Sequence, residues 1–445
     1  MFENKKIIIL GMAKSGYEVA KLLIKYTKDI VINDFKEDQE LERVNELKQL
    51  GIKVILGNHP DDLITKDIDF IIKNPGIKND HKYVLKAMEY NIPVINEVEV
   101  AYLFFPKDIT LIGITGSNGK TTTTTLIYEI IKGANMSVHL TGNIGYPLSS
   151  FVSKIKSKDI VVTEISIQQL CNLNKFKTNI SVLTNLYEAH LDFVGGYENY
   201  INLKKKIFNE HTQEDVAVLN YDNNDVVKIT NDINSKKYYF SSKKENVTQC
   251  YIKENSIYYN NEETIKFNEL KLTGIHNYEN IMAAILVCKH LKISNEIIRK
   301  VLMNFNGVEH RIEFVKKIND IRFYNDSKST NIVATITALK SFSTPIILLL
   351  GGLDRQHSFD ELKDYMNNVK LVIAYGETKD RINDFCKRIN KECTVFEDLK
   401  QATEFAYNNS LSGDTILLSP ACASWDQYKN FEERGNKFKE YINNL

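Results

Sequence analysis

The sequence predicts an α/β protein of three domains, each built on a largely parallel sheet. Three observations carry this. Short β-branched runs alternate with helical patterns through the first hundred residues, and the alternation restarts near residue 107 and again near residue 308. A glycine-rich turn at 113–119 joins one of these runs to a helical one. The chain has 445 residues, and at roughly 150 residues per domain this length suits three domains.

The first stretch runs KIIIL (6–10), GMAKSG, then the helical pattern YEVAKLLIKY. IVIND (30–34), KVILG (53–57), DFIIKNPGI (69–77) and IPVIN (92–96) follow, separated by charged or helical segments. Such alternation places helices on the faces of a parallel sheet. The second stretch contains DITLIGITG, DIVVTEIS (159–166) and ISVLTNL (180–186), each a buried-looking strand with a polar end. Residues 215–270 are rich in Asn, Lys and Tyr, hold the short strands VAVLN, KYYF and IYYN, and carry no recognisable chemistry. HNYENIMAAILVCKHL (276–291) reads as an amphipathic helix. The third stretch offers IRFYNDSK, TPIILLLGG, LVIAYG and DTILLSP, strands again ending in polar or glycine-containing turns. The expected domains are residues 1–99, 100–307 and 308–445.

Composition bounds the function. Hydrophobic residues make up 43% of the chain and charged residues 26%, an ordinary globular balance. The formal net charge of +0 argues against a nucleic-acid binder held by bulk charge. Six cysteines at irregular spacing form neither a disulfide framework nor a zinc ribbon, and suit a reducing cytosol. MFENKKIIIL reaches glycine and a charged helix too soon for a signal peptide, and apolar runs such as Pro345 to Leu350 are far too short to span a bilayer. The expectation is a soluble cytoplasmic protein, with no membrane span and no nucleic acid held by bulk charge; composition says little about small anionic ligands.

GITGSNGKTTTTT (113–125) is a strand, a glycine-rich loop and a helix start. The usual phosphate-loop pattern wants glycine where Ile114 stands; here the glycines fall at Gly113, Gly116 and Gly119. The physics is the same. Small residues let backbone N–H groups approach phosphate oxygens, and the helix N-terminus adds positive potential. Lys120 would reach the β/γ-phosphates and the Thr121 hydroxyl would sit on Mg²⁺. From spacing alone, Thr122 to Thr125 read as helix filler.

Two further polar residues follow successive strands: Glu164 in EISIQQL and His190 in NLYEAHLD. Ligands in open parallel sheets gather at the carboxyl ends of strands, so the pair is a candidate for Mg²⁺, which takes few protein ligands beside waters and phosphates. In YENYINLKKKIFNE, Lys204 has Tyr200, Ile201, Ile207 and Phe208 one helical turn away, whereas Lys205 and Lys206 have polar neighbours such as Asn202 and Asn209. Lys204 therefore points inward. Two readings stand: a stem that snorkels to water, the commoner case, or an amine whose pKa is lowered by burial.

TGSNGKTT, the E-x-S-x-x-Q of Glu164, Ser166 and Gln169, the H-L-D at 190–192, GIHNYEN, GVEHR and NDSKSTN occur in this order. Together they resemble the Mur ligases and folylpolyglutamate synthases. SPACASWDQYKNFEERG (419–435) narrows the resemblance to the D-glutamate-adding branch of the Mur ligases, and it covers nearly the whole chain. The resemblance implies a Rossmann-like N-terminal domain that binds a UDP-substrate, a central ATPase domain of the P-loop type, and a Rossmann-like C-terminal domain that binds the amino acid. It implies ATP, two Mg²⁺ ions, the substrates UDP-N-acetylmuramoyl-L-alanine and D-glutamate, and a monomer.

The family's residue roles fall on matching positions. Gly116, Ser117, Asn118, Gly119, Lys120, Thr121 and Thr122 would bind ATP, with Asn277, Asn280 and His310 on the adenine side. Arg311 would meet phosphate, while Asp326 and Lys328 would contact nucleotide and the transferred phosphoryl group. The first metal falls to Thr121 and Glu164, the second to His190. Lys204 matches the family's carbamylated lysine, which turns an amine into an anionic oxygen ligand. Lys120, His190, Lys204 and Lys328 form the catalytic set. The UDP-substrate would rest on Lys14, Ser15, Asp34, Phe35, Lys36, Asn143, Ser166, Gln169 and His190. D-Glutamate would meet Thr330, Arg355, Ser424, Trp425 and Phe431, with Arg355 as a guanidinium fork on one carboxylate. Ala189, Ile167, Gln168, Phe35 and Lys36 depart from the family's usual residues. A sister ligase for another amino acid, a folate glutamyl ligase, a non-catalytic nucleotide binder and a nicotinamide oxidoreductase are the competing readings.

Overall fold

The computed structural model describes residues 1–144, 146–188, 191–245 and 247–445. The chain divides into two compact units, Met1–Met303 and Asn304–Leu445.

The first unit holds two sheets. One consists of five parallel strands, β1 (Ile7–Leu10), β2 (Ile30–Asp34), β3 (Lys53–Leu56), β4 (Phe70–Lys73) and β5 (Val94–Ile95), in the order β3-β2-β1-β4-β5. All four residues of β1 are buried, as a central parallel strand with both faces covered requires. Strand order reverses beside β1, so the GMAKSG turn leaves the sheet where ligands of such folds collect.

The other sheet contains β6 (Thr110–Thr115), β7 (Val138–Gly142), β8 (Ile160–Glu164), β9 (Ile180–Leu183), β10 (Val216–Asn220), β11 (Lys236–Ser241), β12 (Cys250–Lys253), β13 (Ser256–Tyr259) and β14 (Glu262–Lys266). Their order is β14-β13-β12-β11-β10-β9-β6-β8-β7. Strands from β7 to β12 pair in parallel, and β13 and β14 add an antiparallel edge. The Asn- and Tyr-rich stretch forms this edge. Residues 99 and 100 lie inside the helix Glu97–Leu103, which serves both sheets: Val98 and Ala101 pack in the core around β6–β10, and Val100 packs with β1 and β2.

The helix Ile275–His290 differs from its amphipathic reading. Asn280 to Cys288 are all buried, because the helix is packed against both the helix Lys120–Gly133 and strands β10–β12. A helix covered on every side has no polar face to show.

The second unit is a six-stranded sheet: β15 (Glu313–Ile318), β16 (Ile321–Asn325), β17 (Ile346–Gly351), β18 (Val369–Tyr375), β19 (Cys393–Phe396) and β20 (Thr415–Leu418), ordered β15-β16-β20-β17-β18-β19. Only β15 is antiparallel to its neighbour. Alternate residues of β17 supply two cores, Ile346, Leu348 and Leu350 on one face and Ile347 and Leu349 on the other. Each such side chain contributes roughly 1.5–3 kcal/mol on burial, which anchors the loops at the strands' carboxyl ends.

Candidate active site

Three neighbouring strands deliver the central site. β6 lies between β8 and β9, with Ile114 opposite Glu164 and Thr115 opposite Leu183. The glycine loop leaves β6, Glu164 ends β8, and Thr184 and Asn185 follow β9. Gly116 has φ 146° and Gly119 has φ 82°, and Gly119 caps the helix Lys120–Gly133. A Cβ on Gly116 would lie 2.0 Å from Thr184 Oγ1, and one on Gly119 would lie 2.2 Å from Asn280 Oδ1. The loop is held from below: Asn118 N donates to Asn185 Oδ1 at 2.8 Å, and Thr184 Oγ1 donates to Asn118 O at 2.6 Å. Ser117 Oγ and Tyr200 OH are 2.7 Å apart.

Lys120 Nζ curls back over the loop, donating to Gly116 O at 2.9 Å and Ser117 O at 2.8 Å. Thr121 Oγ1 donates to Glu164 Oε2 at 2.7 Å, and Asn143 Nδ2 donates to Glu164 Oε1 at 2.7 Å. Thr122 is half-buried. Thr123 donates to Asn280, while the Thr124 and Thr125 hydroxyls return to carbonyls one turn back in the same helix. Asn277 lies at the start of its helix, with Nδ2 on Thr273 O at 2.9 Å.

Lys204 is 1% exposed, and its Nζ donates to Thr115 Oγ1 at 2.9 Å. Burial, and then the nearby Lys120 charge, push its amine well below the ordinary lysine value, against the pull of Glu164. Its head is therefore inside the protein and does not snorkel. Such an amine is held toward its neutral form, the form that reacts with carbon dioxide. His190 lies outside the described residues, and among the described residues no group of three His, Cys, Asp or Glu side chains is gathered for a metal. The buried Glu164 carboxylate and the Thr121 hydroxyl are hard oxygen donors 2.7 Å apart, a pair whose chemistry fits Mg²⁺.

The expected UDP-substrate residues are spread over the first unit. Lys14 Nζ stands 4.2 Å from the Tyr146 ring centroid, and Ser15 Oγ accepts from Asn74 Nδ2 at 3.0 Å. The Asp34 carboxylate accepts from Met12 N at 2.7 Å and Lys36 N at 2.9 Å, which ties the turn after β1 to the turn after β2. Phe35 is 67% exposed and tilts against His59. Ser166 and Gln169 bond to each other's backbone N–H as a capping box for the short helix Ile167–Leu170.

In the second unit, His310 adopts φ 62°, is buried, and meets Asn325 Nδ2 through Nδ1 at 2.9 Å; burial lowers its imidazole pKa. Arg311 follows it. Asp326, also buried, accepts from Ser329 and Ser419 hydroxyls and from Ile312 N, and burial pushes its carboxyl up to about 6. Lys328 Nζ stands 5.8 Å from the Phe431 ring centroid, and Thr330 N donates to Lys328 O. The Arg355 guanidinium lies 4.8 Å from the ring centroid of Trp425, which is itself 63% exposed. Ser424 is buried beside it.

The sequence reading missed Thr115, Thr184 and Asn185, supports of the glycine loop in the first unit, and Arg434 in the second unit. The first three are polar residues at the carboxyl ends of parallel strands flanking the glycine loop, a position that marks them.

A family model described as the Mur ligase middle domain matches residues 114–288. The Mur ligase glutamate ligase domain matches residues 310–422, and the MurD-like N-terminal domain matches residues 5–96. The chain belongs to the Mur ligase family. Its Mur ligase relatives include the UDP-N-acetylmuramoylalanine–D-glutamate ligase of Geobacillus kaustophilus, 43% identical over 100% of this chain and 98% of that one. The protein of the same description from Bacillus thuringiensis strain Al Hakam is 42% identical with the same coverage. Among solved structures, MurC from Thermotoga maritima shares the fold at a TM-score of 0.58, with 20% identity over 99% of each chain. MurF from the same organism, solved with ADP, matches at 0.56, with 17% identity over 93% of this chain and 95% of that one.

Proposed function

We infer that this Mur ligase is an ATP-dependent enzyme that joins D-glutamate to UDP-N-acetylmuramoyl-L-alanine in peptidoglycan precursor synthesis. The carrying observation is the 43% identity, over the full chain, to ligases of that description. The buried Thr121–Glu164 pair beside the glycine loop supports an ATP site in the same chain. The functional domains in this reading are residues 1–99, 100–307 and 308–445.

An oxygen of the alanyl carboxylate attacks the γ-phosphorus of ATP, the bond to the β-γ bridging oxygen breaks, and ADP leaves. The D-glutamate amine then attacks the acyl carbon, loses a proton and expels inorganic phosphate. Lys120 and the loop N–H groups hold the phosphates, and positioning with electrostatics carries most of such a transfer. Thr121, Glu164, His190 and a carbamylated Lys204 are the residues that would hold two Mg²⁺ ions. Bound Mg²⁺ supplies charge neutralisation on the phosphate oxygens. Asn277, Asn280, His310, Arg311, Asp326 and Lys328 complete the nucleotide side. Lys14, Ser15, Asp34, Phe35, Lys36 and Asn143 take the UDP-substrate. Ser166 and Gln169 shape that site through the helix they cap. Thr330, Arg355, Ser424, Trp425 and Phe431 receive D-glutamate. The enzyme works as a monomer in the cytoplasm. Among the described residues no helix is long and apolar enough to cross a membrane.

An ADP-release assay that crosses UDP-N-acetylmuramoyl-L-alanine and folate with D-glutamate, L-glutamate and L-lysine tests the reading. Release is expected with the first substrate and D-glutamate. Release with L-lysine and not D-glutamate overturns the assignment in favour of a sister ligase.

A further inference from the structure

Among the described residues Arg434 is the largest fully buried side chain, at 0% exposed. Sequence context disguises it, since FEERG looks like a solvated helix start. Its Nε donates to Ser327 Oγ at 3.0 Å, Nη2 to Ser327 O at 2.8 Å, and Nη1 to Cys422 O at 3.1 Å. All three acceptors are neutral. Apolar side chains of similar volume commonly serve stability as well as a buried charge or better, so a guanidinium at this place calls for a reason other than stability.

The reason lies in what the fork joins. Ser327 stands between Asp326 and Lys328, and its own Oγ donates to Phe431 O at 2.8 Å. Cys422 follows Ala421, a non-glycine residue at φ 56°, and precedes Ser424 and Trp425. A third loop packs on the same group: a Cβ on Gly352 would sit 3.1 Å from Arg434 Nη1 and 2.3 Å from Ala423 O. That loop leads to Arg355. Three loops and one helix start therefore meet at a single guanidinium, and between them they carry Thr330, Arg355, Ser424, Trp425 and Phe431. Neutral carbonyls on two different loops fix the spacing of those loops through a planar, rigid donor.

We propose that Arg434 is a positioning residue for the amino-acid substrate, setting the spacing of the loops at 326–330, 352–355 and 421–425 without touching the substrate. The inference rests on the amino-acid site assigned above. It is tested in the full-length protein with Arg434→Lys, which keeps the charge but not the planar fork, and Ser327→Ala, which removes one acceptor. The expected result for Arg434→Lys is a KM for D-glutamate raised by about tenfold or more, because small misplacements of binding groups cost heavily. KM for the UDP-substrate stays near wild type, and the variant remains folded at the assay temperature with a lowered thermal midpoint, because buried carbonyls lose donors. Ser327→Ala shifts KM for D-glutamate in the same direction and less far, and in the double variant the two effects do not add. An unchanged KM for D-glutamate in folded Arg434→Lys overturns the proposal. So does a parallel loss of all kinetic constants in step with the folded fraction. If Arg434→Lys does not fold, Ser327→Ala decides by the same KM criterion. Failure of wild type to use D-glutamate refutes the functional reading instead, and the KM comparison is then made with the amino acid it accepts.

Discussion

The Thr121 hydroxyl, in the first turn of the helix that follows β6, donates to the Glu164 carboxylate at the end of neighbouring β8 at 2.7 Å, both side chains buried. The contact joins the residue that follows the lysine of the glycine loop to the last residue of β8. Asn143 holds the other carboxylate oxygen, so the rotamer of Glu164 is fixed from both sides before any ion arrives. Glu164→Gln keeps the size and one acceptor but removes the anionic charge. Turnover is expected to fall by roughly 100-fold or more, with the Mg²⁺ concentration for half-maximal rate rising. Thr121→Ala is expected to raise the Mg²⁺ requirement with a smaller loss of rate. A magnesium titration of ADP release separates the two. Removal of Mg²⁺ with EDTA should abolish ADP release from wild type.

The second prediction concerns Lys204. Its head lies inside the protein on Thr115 Oγ1, with Lys120 as a like-charged neighbour. A carbamate there would replace a disfavoured cation by an anion that bound Mg²⁺ can pair. Lys204→Ala is expected to lose roughly 100-fold in rate, and added short-chain carboxylate to restore part of it by filling the vacated oxygen position. Intact-mass measurement under carbon dioxide, with trapping of the carbamate, offers a readout apart from rate. An undiminished rate in Lys204→Ala excludes the role.

Much of this was legible in the chain because parallel strands announce themselves. IIIL, ISVL and IILLL are buried on both faces, and their β-branched or aliphatic runs stand out against charged surroundings. Lys204 was legible as inward-facing because helical spacing surrounds it with Tyr200, Ile201, Ile207 and Phe208. β7, with the mixed sequence VHLTG, and the edge strands β15 and β19 were not, since edges need less apolar character. The two-sided packing of the Ile275–His290 helix is a tertiary fact, absent from local periodicity. Ser166 and Gln169 show another limit: a motif marks the position, while capping geometry decides what the side chains hold. Arg434 was hidden because a charged residue among charged residues reads as surface.

Arg355 and Trp425 give the third prediction. The guanidinium lies over the exposed indole, so stacking can pre-orient its fork before an anion binds. Arg355→Ala removes a charge-assisted contact of about 1.5–3 kcal/mol, which corresponds to a rise of roughly 10- to 100-fold in KM for D-glutamate. Trp425→Ala keeps the charge and should raise the same KM by less. Neither change should move KM for ATP. Equal effects on every substrate would show that the pair serves folding rather than recognition.

Asp326 supplies the pH prediction. Burial raises its carboxyl from an ordinary 3.8 to about 6. A raised pKa means that the folded state holds the proton more tightly than the unfolded chain. The stabilising contribution is complete below about pH 3.8 and is lost as pH rises through 6. Above pH 6 the ionised group costs the fold on the order of 2–3 kcal/mol. Asp326→Asn avoids this cost. The variant should be more stable than wild type by up to that amount at pH 7, with the difference shrinking as pH falls toward 4. Ligase activity should fall at the same time, because Asp326 is assigned to the nucleotide side. Chemical unfolding at several pH values checks the first half, and ADP release the second. A constant difference in stability across the pH range would remove the titration of Asp326 as its cause.

Gly119 carries the last prediction. At φ 82° it lies in the left-handed region, and a Cβ there would come within 2.2 Å of Asn280 Oδ1. Asn280 cannot simply withdraw, since it is buried and accepts from Thr123 Oγ1 at 3.2 Å. Gly119→Ala therefore meets two costs: left-handed backbone strain, about 1–2 kcal/mol, and displacement of Asn280. Gly119→Ala together with Asn280→Ala removes the collision but not the strain. If the collision dominates, the double variant recovers most of the folding stability lost by Gly119→Ala, measured by urea unfolding. Nucleotide binding should stay weak in the double variant, because Asn280 is itself assigned to the adenine side. If the backbone dominates, the double variant is no more stable than the single one. The geometry favours the first outcome: a 2.2 Å approach to a fixed amide oxygen demands movement, whereas a single alanine can occupy the left-handed region at modest cost.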